Sequence, residues 1–147
     1  MISRAQVVAQ ARGWIGTTPW HHQASRRTVG VDCIGLIVGV GAELGMPLAA
    51  KWRQDIRFRN YGRLPLPDKL LESCKDYLDP IPKGEARLGD VLLFTFLREP
   101  MHFGFVSRMT PLYMIHAYQP MDGVVENVID EKWKRRIYAA FHLRGVE

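Results

Sequence analysis

The second half of this sequence changes its hydrophobic period, and that change limits the folds open to it. In the first half apolar residues recur at helical spacing. Ser3-Arg4-Ala5-Gln6 fits a capping box, and Val7, Val8, Ala11, Trp14 and Ile15 follow on one face, with Gly16 as the stop. Asp32 is placed to cap a second helix that carries Cys33, Leu36, Ile37, Val40 and Leu44 and ends at Gly45. That helix is apolar nearly all round, so it is expected to be central and buried. Asp68 is expected to cap a third helix, with Leu70, Leu71, Cys74, Tyr77 and Leu78 as its stripe and Pro80 and Pro82 closing it. Met46 to Pro67, with Pro47, Pro65 and Pro67, reads as irregular and basic.

From Val91 onward the pattern becomes one of short β-branched or aromatic runs: 91–96, 103–107, 112–117, 124–128 and 137–143. Gly89-Asp90, Arg98 to Pro100 and Pro120 to Gly123 separate them as turns. Helices first and strands afterwards predict an α+β fold, with N-terminal helices packed on one C-terminal antiparallel sheet. The 147 residues show no repeat and no linker, so residues 1–147 are expected to form one domain.

Composition narrows the function classes. The formal charge is +5 and the pI about 9.5, which favours an anionic partner. The basic residues are scattered, however, at Arg26, Arg27, Lys51, Arg53, Arg57, Arg59, Lys132, Lys134, Arg135 and Arg136, and no nucleic-acid motif accompanies them. They read as solvated surface, and no nucleic-acid partner is expected. No apolar run is long enough to span a bilayer. The first 16 residues mix arginines and glutamines with apolar residues and lack an apolar h-region. No signal peptide is read, and synthesis in the cytoplasm is expected. The 2 cysteines form no CxxC pair, so neither a disulfide scaffold nor a structural zinc site is indicated.

Cys33 falls in the first turn of the central helix. Unpaired N–H groups and the positive dipole end favour a thiolate there and can face a developing oxyanion. A nucleophile in that place needs a histidine base and a group to orient it. The other reading is a small buried filler, and that reading suits Cys74, inside an apolar stripe, far better. Among the five histidines, His102 opens a strand and His116 ends the next, so the two can lie side by side across an antiparallel pair. An imidazole at 116 can then accept the Nδ1 proton of His102 and fix its tautomer. The histidines have no recognised metal-ligand spacing, so neither metal nor cofactor is expected.

These residues carry a resemblance. Trp14-Ile15-Gly16-Thr17-Thr18-Pro19-Trp20 and Gly30-Val31-Asp32-Cys33-Ile34-Gly35-Leu36 resemble the nucleophile region of the NlpC-type cell-wall peptidase family. Leu88-Gly89-Asp90-Val91-Leu92-Leu93-Phe94 resembles its "GD" strand, His102-Phe103-Gly104-Phe105-Val106 its histidine strand, and Met114-Ile115-His116-Ala117 its third-residue strand. The likeness runs from about Val7 to Ala117, and the tail after Gly123 adds little to it. It implies a papain-like fold and a cysteine peptidase that hydrolyses amide bonds in peptidoglycan stem peptides. Cys33 becomes the nucleophile, His102 the base and His116 the orienting residue. Asp32 matches a position that helps hold the free amine of the stem peptide.

Two departures bear on specificity. Trp20 stands where the family usually has tyrosine, so an indole N–H replaces a hydroxyl at that substrate-facing position. Ile34 stands where serine is common. His21-His22-Gln23 after Trp20 is most similar to the phage-borne branch, whose members sit in tail tips or related particles. That likeness implies assembly into a phage-like particle alongside tail-tip proteins. The alternatives are a structural tail-assembly protein with the same fold and no activity, acyl transfer by the same three residues, and, on charge alone, nucleic-acid binding.

Overall fold

A computed structural model describes residues 1–21, 24–55, 67–96 and 99–147, with the backbone alone at 67 and 99–101. His22, Gln23 and the basic stretch 56–66 lie outside the described residues, as do 97–98. The helices are α1 (Arg4–Arg12), α2 (Cys33–Glu43), α3 (Pro47–Gln54), α4 (Pro67–Tyr77) and the single turn α5 (Glu131–Lys134). A two-residue hairpin, β1 (Ser25–Arg26) and β2 (Gly30–Val31), precedes α2. A six-stranded antiparallel sheet is built from β3 (Leu78–Ile81), β4 (Val91–Phe96), β5 (Glu99–Met109), β6 (Leu112–Tyr118), β7 (Gly123–Val128) and β8 (Ile137–Leu143), in the order β3-β8-β4-β5-β6-β7. The α+β architecture read from the sequence is the one observed.

Several local expectations are corrected. The helix from Ser3 keeps its capping box but ends at Arg12, and Trp14 and Ile15 lie in the turns that follow. Met46 to Pro67 is not wholly irregular, because α3 begins at Pro47. At the first position of a helix the missing N–H of proline costs nothing. α3 buries Ala49 and Trp52, and α2 offers it a flat surface at Gly41, where a Cβ would come within 2.7 Å of the Ala49 Cβ. Asp68 lies within the first turn of α4, where its charge suits the helix dipole, and not before it. Leu78 to Ile81 is a strand that contains Pro80. An edge strand tolerates proline, and β3 is an edge.

The sheet is apolar on both faces. One face, with Val91, Leu93, Phe103, Phe105, Ile115 and Phe141, packs on α1 and α2. The other, with Leu92, Phe94, Val106, Met114 and Ala140, is closed by Ile129 and Trp133. This explains why Val91 to Phe94 reads as an unbroken apolar run: all four residues are buried. Asp90, at the head of β4, ties the layers together. It accepts from Arg4 at 2.8 Å and from the Arg87 N–H at 2.8 Å, and it meets His142 Nδ1 at 2.7 Å. The Gly89-Asp90 pair of the sequence motif is thus a structural anchor, with Gly89 at φ +81°.

Candidate active site

The chain makes an ordered approach to Cys33. Trp20 forms a parallel bridge with Val31; the Val31 N–H donates to the Pro19 carbonyl at 3.0 Å and the His21 N–H to the Val31 carbonyl at 2.9 Å. Asp32 then caps α2, its carboxylate accepting the Gly35 N–H at 2.8 Å. The Ser25 hydroxyl donates to the Gly35 carbonyl at 2.7 Å, and the Ala24 carbonyl lies so close to Gly35 that a Cβ there would overlap it. Gly35 therefore lets the β1–β2 hairpin close over the first turn of α2. Trp20, Asp32 and Cys33 form one group at the head of this helix, with Trp20 half-buried against the core and Asp32 buried.

His102 and His116 form a second group on the sheet. His102 does not open its strand. It lies inside β5, opposite Phe94, one step from a register shift in the β4–β5 ladder. A bulge of this kind re-aims a side chain. His116 is likewise interior to β6. The two imidazoles meet at 2.8 Å, Nε2 of His102 against Nδ1 of His116. The expected contact is present, but it uses the other nitrogen of His102. Gly104 keeps the space between them open: a Cβ there would stand 2.9 Å from Met114 Sδ and 3.5 Å from the His116 Cβ. The link between the two groups is β5 itself: the Phe103 backbone hydrogen-bonds the Cys33 thiol, while the His102 ring lies on the side of Phe94 and Trp133. Phe103 directly follows His102. The thiol thus rests on the strand backbone, and the imidazole of the preceding residue is bonded to His116.

What surrounds the histidines is not legible in the sequence. His116 Nε2 lies 2.8 Å from Asn127 Oδ1 on β7. Trp133, on α5, packs against both rings, with centroids at 5.8 Å from His102 and 5.6 Å from His116, while Phe96 stacks on His102 and Tyr118 on His116. The tail after Gly123, which adds little to the motifs, supplies Asn127 and Trp133. Their signal was thin. Asn127 is one polar residue in a strand, and Trp133 follows a capping Asp130 in a helix of four residues.

Enclosure sets the charge state. Burial pushes the Cys33 thiol up to about 12, with the Asp32 carboxylate adding to the effect and backbone hydrogen bonds from Phe103, Ile34 and Cys33 opposing it. Desolvation thus opposes the thiolate that the helix end favours. Burial holds His102 well below the ordinary histidine value, and proximity to His116 adds to it. Burial also lowers His116, against the Asn127 hydrogen bond. All three shifts act in the direction of a neutral thiol and neutral imidazoles. Among the described residues there is no cluster of three His, Cys, Asp or Glu side chains that could hold a metal ion.

These shifts predict how stability varies with pH. The unfolded chain binds protons on both histidines below about pH 6.5, whereas the folded chain resists them. Stability is then complete above that pH and falls as pH drops through it, by up to about 1.4 kcal/mol per pH unit for each histidine. Cys33 and Cys74 are raised in the fold, so their contribution is complete below about pH 8.5 and is lost above it. Urea midpoints measured across the range should be highest between the two limits. A midpoint unchanged on acidification below pH 6 would contradict buried neutral histidines.

No protein-family model matches the sequence, and no curated protein matches it. Solved structures do. The NlpC/p60 domain of the peptidoglycan hydrolase SagA superposes with a TM-score of 0.65 at 21% identity, over 95% of this chain and 98% of that one. A lipoprotein-like NLP/P60 family protein from Staphylococcus aureus gives 0.63 at 19% identity, over 95% of this chain. The P60 domain of an antigen from M. avium subspecies paratuberculosis gives 0.57 at 14%, over 95% and 93%. This chain spans 41% of the staphylococcal chain's length. No helix among the described residues is long and apolar enough to cross a membrane. The chain has the fold of the NlpC/P60 domains.

Proposed function

We propose that this protein is a cysteine peptidase that hydrolyses amide bonds in bacterial peptidoglycan stem peptides. The observation that carries the reading is the convergence at β5: a cysteine in the first turn of a capped helix bonds the strand beside a histidine that is itself held at 2.8 Å by a second histidine. Cys33 is the nucleophile, His102 the base and His116 the orienting residue. The fold shared with SagA's NlpC/p60 domain, whose parent is a peptidoglycan hydrolase, supports the substrate class.

His116 engages Nε2 of His102, which leaves Nδ1 for the thiol. As Cys33 Sγ attacks the scissile carbonyl, Nδ1 takes the thiol proton, and the imidazolium then protonates the leaving amine. The backbone N–H of Cys33, with a second donor, receives the oxyanion. Water activated by the same nitrogen frees the acyl-enzyme. Substrate binding tightens such contacts, which are often longer in the empty site. Asp32 caps α2 and offers a carboxylate to the substrate amine. Trp20 lines the approach with an indole in place of a hydroxyl. With Ile34 beside the nucleophile, recognition of that amine is weakened, and crosslinked wall should be cut as well as short free peptides.

The particle setting is also part of the proposal: the likeness to the phage-borne branch supports a tail-tip peptidase synthesised in the cytoplasm. A second reading has its own observation. Trp20 and Ile34, standing where tyrosine and serine are usual, suit a tail-assembly protein that keeps the fold without the activity. Mass spectrometry of muropeptides released from purified wall separates the two. The peptidase releases fragments with new amino termini in the stem peptide; unchanged wall, with no acylation of Cys33, would favour the structural role.

A further inference from the structure

The two histidines do not end the hydrogen-bonded chain. Asn127 lies diagonally across from His116 on β7, whose register pairs His116 with Val125 and Met114 with Asn127. Its Oδ1 stands 2.8 Å from His116 Nε2, the same distance that separates His116 Nδ1 from His102 Nε2. Three side chains from three adjacent strands thus form one hydrogen-bonded line. We propose that Asn127 is a positioning residue whose amide oxygen fixes the tautomers of both histidines and so decides that His102 presents a proton-free Nδ1. The proposal deepens the peptidase reading and rests on it for its catalytic consequence.

The logic is that of donors and acceptors. An amide oxygen only accepts, so His116 Nε2 must carry the proton. A neutral imidazole has one N–H, so His116 Nδ1 is then bare and can only accept. His102 Nε2 must therefore donate, and His102 Nδ1 is left bare, the form a base requires. Each assignment follows from the one before, and the first is made by Asn127. Were the amide to present its NH2 group instead, every step would reverse and His102 would hold its proton on Nδ1, useless for deprotonating a thiol. The aromatic shell makes the order consequential. His116 is fully buried and His102 nearly so, with Trp133, Phe96 and Tyr118 packed on them, while Asn127 is exposed on β7 and closes the outer end of the line. The charged or titratable groups around the pair are His102 and Tyr118 beside His116, and Arg136, which stacks on Phe96 and Trp133. Among the described residues His116 hydrogen-bonds His102 and Asn127 and no carboxylate, so the neutral amide is the acceptor that acts.

The test begins without substrate. Long-range proton–nitrogen spectra of the 15N-histidine-labelled protein should show both His102 and His116 as Nε2–H tautomers at neutral pH. In Asn127→Leu the His116 signal should move toward the Nδ1–H form or a mixture. Asn127→Asp supplies an oxygen acceptor in the same place and should restore the Nε2–H form. On wall peptides Asn127→Leu should lose about tenfold in kcat with KM nearly unchanged, the rate equivalent of one neutral hydrogen bond. Asn127→Asp should recover most of that rate, with the acid limb of its pH profile moved upward by the added charge. A wild-type His116 in the Nδ1–H form overturns the proposal. So does an Asn127→Leu protein with unaltered tautomers, or an Asn127→Asp protein as slow as the leucine variant with the tautomer restored. If Asn127→Leu does not fold, the wild-type and aspartate spectra decide. A protein with the expected tautomers and no hydrolysis of wall would end the peptidase reading and leave the tautomer assignment standing.

Discussion

Cys33→Ala is expected to abolish hydrolysis of wall peptides, by about 10⁴-fold or more, while the protein keeps its fold. The two effects separate because the thiol contributes chemistry and little architecture. The first turn of α2 is held by the Asp32 carboxylate on the Gly35 N–H and by the Ser25 hydroxyl on the Gly35 carbonyl, neither of which involves the Cys33 side chain. Alanine is also the best helix former for the position. Cys74 provides the control. It is fully buried in α4, and its thiol is raised by burial, with Cys33 adding to the effect. Cys74→Ala should keep its activity and lose about 1–2 kcal/mol of stability, as a small cavity costs. A thiol-reactive probe followed by peptide mapping adds a second check. Cys33 should label slowly at neutral pH, because its thiol is held up to about 12, and faster as the solution is made alkaline. An inactive Cys74→Ala protein beside an active Cys33→Ala one would remove Cys33 from the centre of the site.

The features legible in the sequence are those that depend on near neighbours in the chain. The capping box at Ser3, the Asp32 cap before an apolar run, and the strands at 91–96 and 137–143 were all read from local pattern and stand where expected. Proline misled twice for the same reason. Pro47 and Pro80 read as breakers, yet one begins a helix and the other lies on a sheet edge, the two settings where a missing N–H does no harm. The pairing of His102 with His116 was legible because adjacent antiparallel strands bring such residues together. Which nitrogen points where was not, since it depends on the register shift beside His102. Asn127 required the register of a third strand, and Trp133 required a one-turn helix to fold back across the sheet. The opposing pull on Cys33 was not legible, because the helix end is visible in the sequence and the desolvation around the thiol is not.

His102→Ala is expected to remove nearly all activity, because the general base that supplies about 10²–10⁴-fold and the acid that protonates the leaving amine are lost together. His102 is buried among aromatic rings, so His102→Gln, which fills more of that space, accompanies it as a check that the loss is not one of folding. His116 should give a graded series. His116→Ala removes the partner of His102 Nε2 and should be clearly impaired. His116→Asn and His116→Gln should keep much of the rate, since an amide oxygen can accept the same Nε2 proton. The pH profile of kcat/KM follows from the neutral resting site. The rate should fall on acidification only below the ordinary histidine range, because His102 is held well beneath it. It should stay level on the alkaline side past pH 9, because the thiol, held up to about 12, keeps its proton there. A bell centred near neutrality would mean that a thiolate–imidazolium pair forms instead. A metal-dependent site makes a different forecast, in which chelator stops the reaction and asparagine at 116 is as harmful as alanine. Full activity in the His102→Ala protein would end the cysteine-peptidase reading altogether.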